Sequence, residues 1–302
     1  MSLPVTVLIA AKDVAINLPA CLESLVPGAG VVVVPKPSTV APGVIGRAKG
    51  GAGGAFDYDG GYPKKRQWAL DTLEIDTDWT FLLDADERVP EDLWKEIRGV
   101  LARPNLDEAY LITKGFHFLG QRFRHGGFSH DAVLLFRTGH ARFERLIDDP
   151  SGLDMEVHER LIVDGTVGVL DTPLIHEDFK GLEAYIDRHN RYSTWEARLR
   201  LAYLEDNTYG PESVEADLFG DAQERRRFLK KIAIRIPFEP LLWFVYHYVI
   251  RLGFLEGRPG LIASQIRRHY IAHVHDKMHE LRQQSENATG TERETTVPDR
   301  EK

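Results

Sequence analysis

The sequence predicts an α/β fold, with a largely parallel sheet covered on both faces and a helical C-terminal appendage. Three observations predict it. Short apolar, β-branched runs alternate with amphipathic segments through the first 105 residues. Carboxylates gather just past the end of one of those runs, where such sheets bind ligands. Beyond residue 180 the strand-like runs give way to long helical and aromatic segments.

Val5 to Ala10 reads as the first strand. Ile16 to Leu25 follows as a helix, with Leu18, Leu22 and Leu25 on one side. Val31 to Val34 is a second short buried strand. From Pro35 to Tyr62 the chain is irregular, with eight glycines between Gly43 and Gly61. This run lacks the phosphate-loop pattern of glycines before Lys-Ser/Thr. It reads either as a loop that orders on ligand or as a solvated linker before a basic helix start. Pro63 to Leu73 is helical, with proline placed to start it. Thr80 to Leu83 is a third strand. Pro90 to Ala102 is a helix with Glu91 and Asp92 in its first turn, ended by Pro104. Leu182 to Glu205 is a long helix. Residues 1–180 form the expected ligand-binding core and 181–282 a helical region. Residues 283–302, polar and poor in apolar side chains, are expected to be disordered.

Composition narrows the function. A hydrophobic share of 43% and a charged share of 28% suit a globular protein. The net charge of -8 argues against a nucleic-acid partner. The single cysteine, Cys21, allows no intramolecular disulfide and fits a reducing compartment. No stretch reaches the roughly 18 apolar residues of a membrane span. "PVTVLIAA" reads as a strand and not as a signal peptide.

The stretch "WTFLLDADERVPEDLW" leaves a buried strand and at once concentrates Asp84, Asp86 and Glu87. Alternation points Asp84 and Asp86 the same way, with small Ala85 between. Two carboxylates on one side repel unless a cation joins them, and hard oxygen ligands suit Mg²⁺ or Mn²⁺. The competing expectation is an acidic turn, with Glu87 near a helix N-terminus.

Five further runs accompany it: "VTVLIAAKDVAINLPACLESL", "KKRQWALD", "EVHERLIVDG", "PLIHE" and "RYSTWEA", with "GFLEGRPGL" after them. In order and spacing these resemble the family 2 inverting glycosyltransferases, in the branch of lipopolysaccharide-core and exopolysaccharide glucosyltransferases, over roughly residues 4 to 280. The resemblance implies a GT-A, Rossmann-like mixed sheet, a nucleotide-diphosphate sugar donor, a divalent metal, and a glycan or lipid-linked glycan acceptor. It implies donor contacts from Ala11, Asp13, Lys64, Arg66 and Asp84, and metal ligands among Asp86, Asp84 and His176. An inverting transfer also needs a base for the acceptor hydroxyl, and Glu159 and Asp131 are the two candidates. The chain departs from the pattern at Pro35 and Val40, where carboxylates are common, and at Leu134, where an arginine often stands. Two other classes stay open: a sugar-nucleotide-binding protein impaired in catalysis, and a sugar-phosphate nucleotidyltransferase.

Past residue 220, a basic run of Arg225, Arg226, Arg227, Lys230, Lys231 and Arg235 precedes an aromatic, apolar segment with Trp243, Tyr246 and Tyr248. Cations beside interfacial aromatics suit an anionic membrane surface. The expected location is therefore cytoplasmic, peripheral on the inner face of the cytoplasmic membrane. The competing expectation is a core or dimer helix with a solvated basic flank.

Overall fold

The computed structural model describes residues 3–10, 17–34, 63–146, 160–177, 181–206, 209–236 and 238–295. Strand β1 (Val5–Ala10), helix α1 (Leu18–Glu23) and strand β2 (Gly30–Val34) open the chain. Then come α2 (Lys65–Thr72), β3 (Trp79–Asp84), the short β4 (Glu87–Arg88) and α3 (Glu91–Leu101). Five strands follow: β5 (Ala109–Phe118), β6 (Gln121–Arg122), β7 (His130–Arg137), β8 (Ala141–Phe143) and β9 (Leu161–Val163). Strand β10 (Val167–Glu177) leads into four helices: α4 (Gly181–Asp206), α5 (Ala222–Ala233), α6 (Glu239–Val245) and α7 (Gly257–Thr295). A π-helical turn (Tyr246–Ile250) and a 3₁₀ turn (Gly253–Glu256) join α6 to α7.

The main sheet runs β2-β1-β3-β7-β5-β10-β4, with β6 paired to β5. β1 lies parallel between β2 and β3. Beyond β3 the sheet turns mixed, because β7 is antiparallel to both β3 and β5. The carboxyl ends of β1, β3, β5 and β10 and the amino end of β7 therefore collect on one edge. Helices cover both faces. Trp94 of α3 stands edge-on to Phe81, with centroids 5.7 Å apart, while Lys65, Arg66 and Ala69 of α2 line a crevice with Leu8 and Leu82. Successive residues of a strand point to opposite faces, so α2 and α3 lie on opposite sides.

β10 departs from regular pairing where it matters most. Leu170 pairs with Ile112 but Leu174 with Lys114, so four steps on β10 match two on β5. The excess chain is held by α3: Glu96 accepts the N–H groups of Asp171 at 2.7 Å and Thr172 at 2.9 Å. Gly115 makes room for it, since a Cβ there would sit 2.6 Å from the Leu174 carbonyl oxygen.

The C-terminal helices form a second layer. Trp195, Leu199 and Tyr203 of α4 pack on Tyr209, Ile234 and Leu146. Ala197 and Leu201 on another side of α4 meet Tyr270, Ile271, Val274 and Met278 of α7. Arg200 is 2% exposed and bridges Glu196 and Glu239. Residues 283–295, where the sequence leads one to expect a disordered tail, continue α7. Gln, Glu, Ala and Arg are good helix formers, and extending an existing helix avoids the nucleation cost. Among the described residues no helix is long and apolar enough to cross a membrane.

Candidate active site

The acidic stretch sits at the collecting edge. β3 ends at Asp84 and the chain turns through Ala85 and Asp86 into β4, so strand alternation does not extend across the motif. The two aspartates instead find different partners. Asp84 accepts from the Arg66 guanidinium and, at 2.9 Å, from the Lys114 ammonium. Asp86 faces His176, with Oδ2 and Nε2 3.5 Å apart. Glu87, wholly buried, pairs with Lys114 at 2.6 Å and accepts the Asp84 backbone N–H at 2.8 Å. Three carboxylates thus meet an arginine, a lysine and an imidazole, from α2, β5 and β10. The chain can concentrate negative charge here because the fold delivers that compensation.

Each ionisation follows from its surroundings. Burial would raise the Asp84 pKa, but Arg66 and Lys114 overcome it and hold the carboxyl well below its usual range. Burial also works against the Lys114 charge, yet Asp84 and Glu87 lift its pKa above the ordinary lysine value. Glu87 goes the other way: burial raises it, Lys114 opposes, and the neighbouring aspartates add to the rise. Burial depresses His176, while its hydrogen bond to Asp86 and the charges of Asp86 and Glu87 raise it above 6.5 on balance. Cys21 of α1 touches the same cluster through the Asp84 carbonyl. Burial first, then the three carboxylates, push its thiol up to about 12, which leaves it protonated and unreactive.

The sequence-predicted residues divide into three groups. Asp84, Asp86, Arg66 and His176 come together. Lys64 is buried at the start of α2, and Arg66 beside it is turned onto Asp84. Asp131 is placed differently: it sits opposite Thr113 on β5 and accepts its hydroxyl at 2.6 Å. Lys114 sits opposite His130 one position along. Adjacent strand positions face opposite ways, so Asp131 is turned away from the side on which Lys114 meets Asp84 and Glu87. Ala11, Asp13, Glu159 and the glycine-rich run lie outside the described residues.

Lys114, His130 and Tyr192 were not singled out by sequence. Burial first, then the charges of Arg226 and Lys114, hold His130 well below 6.5. Burial raises the pKa of the Tyr192 hydroxyl on α4, with Arg188 opposing and the fields of Asp84 and Asp86 adding to the rise. A lysine inside the apolar run "AYLITKGF" was the available signal. Among the described residues, no three His, Cys, Asp or Glu side chains converge as a metal-ligating set. Asp86 and His176 supply one carboxylate and one imidazole, which fits a cation that takes its other ligands from phosphate and water. Beside them, past β1 and β2, Ala10, Val34, Lys65 and Arg66 edge the crevice under α2.

A mixed α/β sheet with a charge-compensated acidic strand end, in a chain carrying these motifs, defines a glycosyltransferase. Over 273 residues the chain is 27% identical to the lipopolysaccharide core biosynthesis glycosyltransferase LpsC of Rhizobium meliloti (strain 1021), a match covering 86% of this chain and 88% of that one. No family model matches. Among solved structures, S. aureus TarS 1-349 aligns with 94% of this chain and 92% of its own, at 13% identity and a TM-score of 0.37. That likeness is too loose to carry weight.

Proposed function

We propose that this glycosyltransferase works with inversion, moving a sugar from a nucleotide-diphosphate donor to a lipopolysaccharide-core or exopolysaccharide acceptor. The observation that carries the proposal is the division of labour at the strand end. Asp84 is neutralised by Arg66 and Lys114, whereas Asp86 has, among the described residues, the partly buried His176 imidazole opposite it. Asp86 and His176 would hold Mg²⁺ or Mn²⁺. When bound, that cation offsets the charge growing on the departing diphosphate. The nucleoside would lie beyond β1 and β2, reached by Ala11 and Asp13, with Lys64 and Arg66 toward its phosphates and Asp84 toward the ribose. Glu159 takes the proton from the acceptor hydroxyl, and the orientation of Asp131 away from Lys114 supports Glu159 over it. The relationship to LpsC over most of both chains supports a cell-envelope glycan as acceptor, and with it a place on the inner face of the cytoplasmic membrane.

Glu159→Gln tests the reading. It keeps shape and hydrogen bonding but cannot accept a proton. Donor binding should be unchanged and transfer at least ~10²-fold slower, the scale of a lost general base. Near-parental turnover moves the role elsewhere, and Asp131→Asn is then the informative variant. Hydrolysis of donor in Mn²⁺ without acceptor distinguishes a catalyst from a protein that only binds sugar nucleotides.

A further inference from the structure

The segment joining α5 to α7 turns its aliphatic side chains outward. Along α6 and the π-helical turn, Leu241 and Leu242, Val245 and Tyr246, and Val249 and Ile250 recur at intervals of four. All six are between 37% and 65% exposed. The two fully buried side chains of the same segment, Glu239 and His247, are polar, and Trp243, Phe244 and Tyr248 beside them are half-buried. Glu239 is 2% exposed and accepts from Arg200 and His275, each at 2.7 Å, and from the Trp243 indole at 3.0 Å. His247, equally hidden, donates Nδ1–H to the Gly126 carbonyl at 2.6 Å. A helix on a water-soluble surface puts its apolar stripe on the core and its charges outside. Here the aliphatic stripe faces out while a carboxylate and an imidazole are buried.

The backbone supports a functional origin. Phe238, 79% exposed, and Leu252 bracket the segment with φ of 62° and 58°. That left-handed region is unusual for bulky residues, and the π-helical turn between them is another mark of functional segments. Charge is sorted too. Between Arg235 and Arg258 both acidic residues are turned inward: Glu239 as above, and Glu256 onto the backbone N–H groups of Arg124 and His125 at 2.7 and 2.6 Å. Arg235, Arg251 and Arg258 remain exposed. Beside Leu255 an open hollow adds Arg122, Arg124 and His125 to that rim.

We propose that this face docks on an anionic lipid bilayer. The six apolar side chains enter the boundary between headgroups and acyl chains, and the arginine rim meets lipid phosphates. The docking set differs from the one the sequence suggested. Arg227 is committed inside to Glu144 and Lys230 to Glu196, and Trp243 points inward to Glu239. The rim is instead Arg235, Arg251, Arg258, Arg122 and Arg124. The proposed transfer gives this face a purpose, a lipid-linked acceptor, but the docking rests on its own observations.

Co-sedimentation of the full chain with vesicles tests it. The parent should pellet with phosphatidylcholine–phosphatidylglycerol vesicles at low salt and much less with phosphatidylcholine alone. Binding should fall as salt shortens the screening length below about 8 Å. The double variant Leu242→Glu, Ile250→Glu should bind at least ~10-fold more weakly, with an unchanged circular dichroism spectrum and melting temperature. Three results overturn the proposal: a parent that stays in the supernatant with the anionic vesicles, a folded double variant that binds like the parent, or a parent dimer that the substitutions split while neither protein binds vesicles. The last assigns the face to a second copy. Donor hydrolysis on the same preparations separates the two readings. Hydrolysis without docking sinks only the surface, and docking without hydrolysis sinks only the chemistry.

Discussion

Lys114→Met removes the ammonium that lies between Asp84 and Glu87 and keeps a similar unbranched stem. The two carboxylates do not lose equally. Asp84 retains Arg66, is a quarter exposed, and stays ionised. Glu87 is fully buried and keeps the Asp84 N–H and the field of His176, with two aspartates nearby. Removing one partner of such a buried pair costs about 3–5 kcal/mol, a large part of the roughly 5–15 kcal/mol that holds a typical domain folded. Glu87 can escape part of that cost by taking up a proton. Its pKa, already raised in the folded parent, should rise further in the variant. A carboxyl with a raised folded pKa binds more protons folded than unfolded, so the variant's stability deficit should shrink as pH falls toward the unfolded value near 4.5. Urea denaturation of parent and variant at pH 8 and pH 5.5 measures both effects. A variant within ~1 kcal/mol of the parent at pH 8, with the same deficit at both pH values, would falsify the claim that Lys114 compensates the acidic edge.

Two further outcomes are expected. Asp86→Ala should leave the melting temperature of the free protein near the parent's but abolish the Mn²⁺-dependent shift with nucleotide diphosphates. In the parent that shift should reflect about 2.7 kcal/mol at a ligand concentration 100 times Kd; an undiminished shift in the variant makes the acidic motif purely structural. His247, whose buried Nε2 has no protein partner, has a folded pKa lowered to about 4, first by burial and then by the Arg267 charge. A depressed histidine leaves the unfolded chain binding the extra proton, so stability is intact above about 6.5 and should fall by roughly 3 kcal/mol as pH drops toward 4. His247→Gln should flatten that part of the stability–pH curve, and a variant as acid-sensitive as the parent refutes it.

What was legible in the sequence was local. β1 to β3 and α1 to α3 were readable because β-branched runs and helical spacing are short-range signals. α4 was readable because its apolar positions repeat over seven turns. The mixed character of the sheet was implied only by resemblance, since nothing within the segment 109–137 states which neighbours β5 and β7 take. The acidic end of β3 was read correctly as exceptional, but its compensation was not. Arg66, Lys114 and His176 are separated by many residues from the carboxylates they meet, and only the register of the strands brings them there. Trp243 failed for a related reason. An indole beside an apolar run looks interfacial, yet its N–H meets Glu239, a buried acceptor that no local pattern marks as internal.

The loop of excess chain in β10 has a consequence for how tolerant this edge is of change. Because the excess is two residues, inward and outward positions stay in phase on either side of it, and His176 still faces Asp86. Deleting one residue there would turn the imidazole to the opposite side. Deleting two would keep its facing but draw it back along the strand by about 7 Å. The slack is fastened at the Glu96 carboxylate, on α3 and outside the acidic stretch. A side chain on α3 thus acts as the stop that fixes where the strand delivers its histidine. Changes in that helix can detune the edge without altering any residue in it.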